Sequence, residues 1–381
     1  MSRRTIIIGG GSIGLALAWE LSNRDVRVTL IERDEVGKAT SWAAAGILPP
    51  ANFATATDPV DRLRGLSHQL FPQWADRLKS ETQIDPGFRR CGGWYLANTP
   101  GERAAMVAMN DYWREMDIRC DRATIDDVAK REPEIADWLR TTNNTAAWWV
   151  PDECQLRSPD YLRALTQACR NNNVAILQHA GVQQITNTPS SVHVKVRSQG
   201  DSHDVIYDAD SVVVCAGSWT GMVDPSLRLQ RSIVPVRGQI LLLKTDTPLI
   251  RSVVNVGHRY LVARDDGHTL VGSCEEEVGL QLGTTPEVLD SLREFAINLC
   301  PQLAHAVEVD AWSGLRPMTF DAFPMIGRVP DTANVYVAAG HYRSGLHLSP
   351  ATAVVLADLV TGQPATIDID AFRVGKQQHH S

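Results

Sequence analysis

A glycine-rich turn near the start of the chain is the sequence feature that most constrains its fold. Gly9, Gly11 and Gly14 form a Gly-x-Gly-x-x-Gly turn directly after the apolar residues 6–8, and Glu32 ends a second apolar run. The first glycine permits a tight turn, the second lets the backbone approach a pyrophosphate, and the third lets a helix pack on the strand. The order strand, glycine turn, helix, strand and acid therefore predicts a dinucleotide-binding unit rather than a purely structural turn.

The acidic residue at the end of the second strand narrows the choice of dinucleotide. A carboxylate at Glu32 would accept hydrogen bonds from both ribose hydroxyls, and its charge would repel a 2'-phosphate. The amino end of the helix after the glycine turn would face the phosphates. FAD and NAD both fit these residues, and NADP is disfavoured.

Length, charge and cysteine usage restrict the class of protein. The chain has 381 residues, so we expect two domains. Its formal net charge is -7 and its Lys and Arg residues are scattered, so we expect no nucleic-acid partner. No apolar run is long enough for membrane insertion. The seven cysteines are widely spaced without a Cys-x-x-Cys, so we expect reduced thiols in the cytoplasm and neither a disulfide framework nor a metal site. Residues 2–18 superficially resemble a twin-arginine export signal, but the first strand and the phosphate turn need the same residues.

The order of strand and helix signals predicts a divided architecture. The two alternate in the first third of the chain, strands dominate the middle, and a strand followed by a helix returns at the end. This order predicts an α/β protein in which a discontinuous dinucleotide-binding domain is interrupted by an α+β substrate domain. We assign segments 1–86, 151–230 and 314–381 to the first domain, and segments 87–150 and 231–313 to the second.

Apolar periodicity and turn residues place the individual elements. Helices are predicted at residues 14–23, 58–82, 102–116, 125–131, 158–170 and 286–299, with a last one that ends near residue 359. Strands are predicted at residues 5–8, 26–32, 94–97, 147–150, 174–177, 183–187, 191–197, 211–215, 240–244, 259–263, 270–274 and 335–338. Ser158 is predicted as an N-cap with Pro159 at the first helical position. Gly217 follows a strand, and glycine at the carboxyl end of a strand indicates a ligand crevice.

Seven segments carry a more specific pattern than the glycine turn alone. They are residues 7–14 together with Glu32, and residues 40–48, 214–219, 235–239, 272–279, 314–327 and 339–351. Together they resemble the D-amino-acid oxidase family of FAD proteins, and most closely its glycine oxidase branch, over nearly the whole chain. The resemblance implies an α/β fold with a discontinuous Rossmann-like FAD-binding domain and a substrate domain built on a large mixed or antiparallel β-sheet.

The resemblance also implies which residues bind substrate and cofactor. Arg316, in Gly-Leu-Arg-Pro, and Arg343, in Gly-His-Tyr-Arg-Ser-Gly, match arginines near the substrate carboxylate and the flavin, and Tyr260 matches a tyrosine that supplements them. We also expect four glycines at the cofactor: Gly9, Gly11, Gly14 and Gly217. Further FAD-contacting positions fall on Ser12, Ile13, Glu32, Arg33, Thr40, Ser41, Ala45, Gly46, Ile47, Val182, His341, Tyr342, Arg343, Ser344, Gly345, Leu346 and His347.

The activity that the resemblance implies is oxidative deamination of glycine and of small amines such as sarcosine or D-alanine. Hydride would pass to FAD, O2 would be reduced to H2O2, and the imine of glycine would feed thiamine thiazole synthesis. The planar fork of arginine suits both oxygens of an amino-acid carboxylate. No catalytic base is required, because only the free amine can donate electron density as hydride leaves, so activity should rise with pH. The expected partners are the amino acid or amine, O2 and, in a homo-oligomer, further copies of the chain.

The mode of cofactor attachment follows from one departure from related proteins. Relatives such as monomeric sarcosine oxidase attach flavin through a cysteine near the position of Arg316. Here no cysteine lies between Cys300 and the C-terminus. We therefore expect noncovalent FAD.

Other interpretations of these residues stay open at the level of sequence. Arg316 taken alone is more simply a surface residue paired with an acid, and His341 and His347 are more simply packed core side chains. His258 fits either the pocket entrance or a solvated loop, and Glu275 fits either a solvated turn or the pocket. Two other functions also fit this fold: a D-amino-acid dehydrogenase that passes electrons to a quinone, and a non-catalytic flavin-binding subunit.

Overall fold

The glycine-rich turn joins two parallel strands through a helix, as the sequence predicts. The computed structural model describes residues 2–143 and 145–375. Strand β1, Arg4–Ile8, leads through Gly9 into helix α1, Ser12–Ser22, and β1 pairs in parallel with β2, Arg27–Ile31. A β-carbon on Gly14 would lie 2.0 Å from the carbonyl oxygen of Gly9, so only glycine lets α1 approach the turn this closely.

The remaining elements follow in chain order. The helices are α2 Pro59–Thr82, α3 Pro100–Glu115, α4 Ile125–Arg131, α5 Pro133–Thr141, α6 Ser158–Asn171, α7 Pro286–Leu299 and α8 Ser349–Thr361. The strands are β3 Ile47–Leu48, β4 Arg89–Arg90, β5 Gly93–Ala97, β6 Asp121–Ala123, β7 Ala146–Val150, β8 Cys154–Gln155, β9 Ala175–Leu177, β10 Ala180–Asn187, β11 Val192–Ser198, β12 Val205–Ala209, β13 Ser211–Val214, β14 Val234–Lys244, β15 Val253–Val256, β16 Arg259–Ala263, β17 His268–Gly272, β18 Val307–Met318, β19 Met325–Arg328 and β20 Val335–Ala339. No helix in the described part of the chain combines the length and the apolar character that crossing a membrane requires.

A six-stranded sheet forms the first layer of the fold. Its order is β19-β20-β13-β1-β2-β9, and every pair is parallel except the edge pair of β19 and β20. Successive side chains of a strand point to opposite faces. Ile7 and Val213 therefore pack with helices α1, α2, α6 and α8, whereas Ile6 and Val212 pack with the small sheet of β10, β11 and β12.

An eight-stranded sheet forms the second layer, in the order β18-β14-β17-β16-β15-β5-β7-β6. The pair of β15 and β5 is parallel and the other pairs are antiparallel, so the sheet is mixed. One of its faces packs through Leu241, Val254 and Leu261 against apolar residues of α4, α5 and α7. The α/β class and the large mixed sheet predicted from the sequence are confirmed.

Several local features differ from the predictions: strands β3, β4, β6, β8, β12, β15, β18 and β19 and helix α5 are not predicted. In strand β18 the alternation of apolar and charged residues is confined to residues 307–311, and Gly314 and Pro317 interrupt it. The helix predicted to start after an N-cap at Ser158 instead includes Ser158, with Arg157 at the N-cap position. The Ser158 hydroxyl donates to the carbonyl of Ala44 at 2.7 Å, and so it ties the helix to a distant segment rather than capping it.

The division into domain segments remains our proposal, with one boundary moved. Strand β18, Val307–Met318, pairs along its length with β14 of the larger sheet and runs across the expected boundary between residues 313 and 314. A domain boundary belongs where few contacts cross it. We therefore propose that the last segment of the FAD-binding domain begins after Met318.

Candidate active site

A cavity of about 710 Å³ lies between the carboxyl ends of the parallel strands and the larger sheet. The parallel sheet contributes Ile8, Ile31 and Cys215, which lie at or just beyond the ends of β1, β2 and β13. The larger sheet contributes Ile240 and Tyr260. Ligands of doubly wound folds bind outside the carboxyl ends of the parallel strands, so the cavity occupies the place where a dinucleotide is expected.

Every predicted site residue except Gly14 lines this one cavity. Gly14 lies beneath the turn, where it allows the helix to pack. The predicted cofactor residues that line the cavity are Gly9, Gly11, Ser12, Ile13, Glu32, Arg33, Thr40, Ser41, Ala45, Gly46, Ile47, Val182, Gly217, His341, Tyr342, Arg343, Ser344, Gly345, Leu346 and His347. The predicted substrate residues Tyr260, Arg316 and Arg343 line the same space.

Glycines and an ordered carboxylate shape the end of the cavity near α1. A β-carbon on Gly217, whose φ is +53°, would meet nothing within 4 Å, and one on Gly11 would meet Ser41 Oγ at 3.2 Å. Glu32 accepts hydrogen bonds from the backbone N–H of Gly10 at 2.7 Å and of Asp34 at 2.9 Å. Open space beside backbone, a helix amino end and a fixed acid are the features that fit the pyrophosphate and ribose of FAD.

Residues 39–46, which follow β2 and carry mostly small side chains, contribute to both packing and the cavity wall. A β-carbon on Gly46 would lie 2.0 Å from the carbonyl oxygen of Leu156, so this position requires close packing. Thr40 donates from its hydroxyl to the carbonyl of Leu315 at 2.9 Å, and Trp312 Nε1 donates to the carbonyl of Ala43 at 3.1 Å. These bonds fix the segment against β18, which carries Arg316.

Arg316 is held by two hydrogen bonds at the cavity wall. Its Nη1 donates to the carbonyl of Cys274 at 3.0 Å, and its Nη2 donates to Ser273 Oγ at 2.6 Å. Tyr260 lies over Gly272, where a β-carbon would come within 2.4 Å of the phenol oxygen. Burial raises the pKa of Tyr260, and so its hydroxyl remains a hydrogen-bond donor at neutral pH.

Arg343 is paired with an acid at the edge of the cavity. Its Nε donates to Glu275 Oε1 at 2.9 Å, and the hydroxyl of Tyr342 donates to the same oxygen. Although partial burial acts to raise the pKa of Glu275, hydrogen bonds from Tyr342 and Arg343 lower it overall. Glu275 is therefore ionised and paired, but it is exposed and does not line the cavity, so of the two interpretations the solvated turn fits better than the pocket.

The two histidines of the last motif are both buried. His341 Nε2 lies 3.1 Å from Thr352 Oγ1, and burial lowers the pKa of His341 to about 3. Both ring nitrogens of His347 lack a hydrogen-bond partner among the described residues, and burial lowers its pKa as well. The two imidazoles are thus neutral, and they line the cavity without adding charge. His258 lines the cavity in an exposed turn.

A polar group that no sequence motif predicts lies in the cavity wall formed by the larger sheet. Tyr95, Glu153 and Asn255 line it, and the Tyr95 hydroxyl donates to Glu153 Oε2 at 2.9 Å. Burial raises the pKa of Glu153 to about 8. No sequence motif predicts this group, because its three residues lie on separate segments that are brought together by the pairing of strands in the sheet.

A group of metal-ligating residue types lies close by. His68, Asp152 and Cys154 offer ligand atoms within 4.8 Å of one another. Arg90 Nε lies 2.8 Å from Asp152, and burial raises the pKa of the Cys154 thiol to about 12. A cationic partner on the acid and a protonated thiol both oppose metal binding.

Comparison with known proteins agrees with this geometry. The family described as FAD dependent oxidoreductase, DAO, matches residues 4–359. The chain belongs to the D-amino-acid oxidase family of FAD-dependent oxidoreductases. The glycine oxidase of Pseudomonas putida is 32% identical over 370 residues, which cover 97% of each chain. The bifunctional protein ThiO/ThiG of Synechocystis is 32% identical over a match that covers 96% of this chain and 53% of that protein.

Solved structures of members of the D-amino-acid oxidase family share the whole fold. The crystal structure of glycine oxidase from Geobacillus kaustophilus superposes with a TM-score of 0.90 at 28% identity, covering 99% of this chain and all of that one. Glycine oxidase from Bacillus cereus superposes with a TM-score of 0.85 at 25% identity, covering 95% of each chain. The protein is therefore an FAD-dependent amino-acid oxidase of the glycine oxidase type.

Proposed function

We propose that this oxidase acts on glycine and on small amines such as sarcosine and D-alanine, with O2 as the electron acceptor and H2O2 as a product. The observation that carries the proposal is that Arg316, Ser273 and Tyr260 line the same cavity as the residues expected to hold FAD. A guanidinium flanked by hydroxyl groups is a set of donors matched to a carboxylate. An amino acid bound by its carboxylate would place its α-carbon inside this cavity.

Arg316 has N–H groups that are not used within the protein and can bind a substrate. A guanidinium has five N–H groups, and Arg316 uses two in the hydrogen bonds to Cys274 and Ser273. The remaining N–H groups are available to a carboxylate, and the Tyr260 hydroxyl can add one further donor. Glu275 already occupies Arg343, so we assign Arg316 the principal role and Arg343 a supporting one.

We propose that FAD is bound without a covalent link. The amino end of α1 beside Gly11 would hold the pyrophosphate, and Glu32 would accept from the ribose hydroxyls. Among the described residues that line the cavity, Cys215 is the only cysteine; it is buried, and burial raises the pKa of its thiol. A protonated, buried thiol is a poor nucleophile for attachment. Acid precipitation should therefore release all of the yellow colour into the supernatant.

The protein's contribution to the reaction is to bind and orient the substrate. FAD, when bound, accepts the hydride from the substrate α-carbon and passes the electrons on to O2. The amine has to be unprotonated, and no residue is assigned as a general base. His341 is not suited to that role, because burial lowers its pKa to about 3. Activity on glycine should then rise with pH as the substrate ammonium loses its proton.

The imine formed from glycine would serve thiamine thiazole synthesis, which we propose as the physiological role. The support is the resemblance to the glycine oxidase branch and the similarity to proteins named ThiO/ThiG, of which this chain matches about half the length. Loss of the encoding gene should then create a requirement for the thiazole moiety. If the cells grow without added thiazole, the proposed physiological role is wrong, whereas the proposed oxidase activity is not affected by that result.

The test of the chemistry is a two-stage reaction with purified yellow protein. Glycine, sarcosine and D-alanine are mixed with it without oxygen while the flavin absorbance is followed, and air is then admitted while peroxide is measured. Bleaching followed by rapid formation of peroxide supports the proposal. Bleaching without peroxide, relieved by an artificial quinone, would instead identify a D-amino-acid dehydrogenase. No bleaching with any amine would leave a flavin-binding subunit.

A further inference from the structure

The cavity has a second polar end that the proposed function does not use. One row of directly paired residues crosses the larger sheet: Tyr95 pairs with Asn255, Asn255 with Tyr260, and Tyr260 with Gly272. Tyr95, Asn255 and Tyr260 all line the cavity, so this row forms one of its walls. Neighbouring strands lie about 4.8 Å apart, which separates the backbones of Tyr260 and Tyr95 by about 10 Å.

Glu153 closes this end of the cavity. It is fully buried, it lines the cavity, and one of its carboxyl oxygens accepts the hydrogen bond from Tyr95. The other oxygen, Oε1, accepts no hydrogen bond of normal geometry from the described residues, although the side-chain amide of Asn255 acts on the carboxyl group. The neighbouring charged group that acts on Glu153 is Asp152, which is also an acid. The hydrogen-bonding capacity of this buried oxygen is therefore not fully used by the protein.

An acceptor of this kind has an energetic cost that a ligand can remove. A buried polar atom without a full set of partners destabilises the folded protein, and such atoms are rare enough in native proteins to need an explanation. Because two strand spacings separate the backbones of Tyr260 and Tyr95, we expect glycine, sarcosine and D-alanine to leave Glu153 uncontacted when their carboxylate is held at Arg316. A longer substrate with a donor at its far end would supply the missing hydrogen bond.

We propose that Tyr95, Glu153 and Asn255, here called the distal acid site, bind an amine at the end of a longer substrate. The preferred substrate is then an amino acid whose carboxylate lies at Arg316 and whose substituent ends in a second amino group. The inference rests on the proposed function in one respect, because it takes Arg316 as the carboxylate ligand. A buried carboxyl group flanked by a phenol and an amide is chemically matched to a terminal amine, because a proton shared between the two groups gives a carboxylate and an ammonium group with three donors.

The test uses pairs of substrates that match in length and differ in the terminal group. D-Ornithine is compared with D-norleucine, and N-(2-aminoethyl)glycine with N-propylglycine, on the FAD-loaded enzyme. The distal acid site predicts that kcat/KM is at least about tenfold higher for the member of each pair that ends in an amine. Equal values, or a preference for the alkyl members, would overturn the inference and indicate a cavity end filled by water.

Two variants connect the preference to the carboxyl group. Glu153→Gln keeps the shape but exchanges an acceptor for a donor, so the ratio of kcat/KM within each pair should fall to about one. Glu115→Gln is the matched control, because it makes the same change at an exposed position outside the cavity, so the preference should persist. Equal loss in both variants would contradict the assignment to Glu153. The FAD content and the Tm of each variant show whether it folds. If Glu153→Gln does not fold, the inference is tested by the wild-type ratios of kcat/KM and by Asn255→Ala, in which we expect a reduced preference for the amine-ended substrates.

A binding readout separates this inference from the proposed function. Each ligand is titrated without oxygen, and its Kd is read from the perturbation of the visible flavin spectrum, which requires no turnover. If glycine bleaches the flavin but the pairs bind equally, the oxidase function stands and the distal acid site fails. If no amine bleaches the flavin but the amine-ended members bind at least about tenfold more tightly, the distal acid site stands and the oxidase function fails.

Discussion

Arg316 lies against the backbone of Gly238 on the neighbouring strand, in the space that a side chain at that position would fill. A β-carbon on Gly238 would lie 2.2 Å from Arg316 Nη2 and 2.5 Å from its Cζ. Gly238 pairs directly with Gly314, two residues before Arg316 on β18. The guanidinium therefore owes its position to a glycine far away in the sequence.

Substitution of that glycine should displace the arginine. Gly238→Ala places a methyl group in the volume of the guanidinium, so we expect KM for glycine to rise at least about tenfold while FAD remains bound. Steady-state kinetics with peroxide detection measures the effect. Gly101→Ala is the control, because a β-carbon there would meet nothing within 4 Å. An unchanged KM in Gly238→Ala would mean that Arg316 is not the carboxylate ligand.

Removal of the guanidinium itself should weaken substrate binding more than it weakens cofactor binding. Arg316→Ala deletes a desolvated, hydrogen-bonded charge, and we expect a loss of about 3 kcal/mol in kcat/KM for glycine. Arg119→Ala is the control, since that arginine is exposed and forms a surface ion pair with Asp121. If Arg316→Ala purifies without FAD and regains normal kinetics when FAD is added in excess, Arg316 belongs to the cofactor site.

Glu275 and the substrate carboxylate should compete for Arg343. Glu275 accepts hydrogen bonds from Arg343 and Tyr342, which hold its pKa low, so it is an anion at neutral pH. Glu275→Gln removes the charge and makes Arg343 available, so KM for glycine should fall about three- to tenfold. Glu277→Gln, an exposed change two residues later, should leave KM unaltered. A rise in KM in Glu275→Gln would show that the acid holds Arg343 in its productive position.

The parts of this site that sequence could predict are those encoded locally. Gly9, Gly11 and Glu32 lie on one strand–helix–strand unit, and their spacing alone determines their geometry. Arg316 is predicted through a motif, although its strand is not, because the alternation of residues 307–311 ends before Gly314 and Pro317. Tyr95 and Asn255 pair across a parallel register between segments distant in the chain. Such a pairing is fixed by the tertiary fold, and no local pattern records it.

The buried acid at Glu153 should make the free energy of unfolding depend on pH. Burial raises its pKa to about 8, above the value in the unfolded chain, so the folded state binds more protons than the unfolded state over the range between the two values. The stability contribution of Glu153 is therefore greatest at acidic pH and is lost as the pH rises to about 8.

Glu153→Gln should remove this dependence. We compare the free energy of unfolding of the variant with that of the wild type. The variant's value minus the wild-type value should increase by a few kcal/mol as the pH rises from about 5 to about 8.5, because the amide never ionises. Denaturant unfolding of both proteins at several pH values measures the difference. Glu115→Gln, an exposed change in α3, is the control, and its free energy of unfolding should depend on pH in the same way as that of the wild type. Parallel curves for Glu153→Gln would mean that the group is ionised throughout.

A second buried charge connects the larger sheet to the cavity wall. Arg264 follows β16 and donates to the side chain of Gln155, to the carbonyl of Leu156 at 3.0 Å and to the carbonyl of Ala45 at 2.8 Å. Burial lowers its pKa to about 10, and so it remains charged at neutral pH. Ala45 lines the cavity, so this one side chain links the substrate sheet to the segment expected at the cofactor.

Loss of that link should weaken both folding and cofactor binding. Arg264→Met leaves three buried acceptors without a donor, which we expect to destabilise the fold by about 3–5 kcal/mol and to raise the Kd of FAD at least about tenfold. Arg264→Lys should give an intermediate result, because one ammonium group cannot reach acceptors that a planar fork meets together. Denaturant unfolding and FAD titration of the apoprotein measure the two effects, with Arg114→Met in an exposed ion pair as the control. A stable Arg264→Met protein with normal FAD affinity would show that the two domains are held together by the apolar contacts and backbone hydrogen bonds around Arg264 instead.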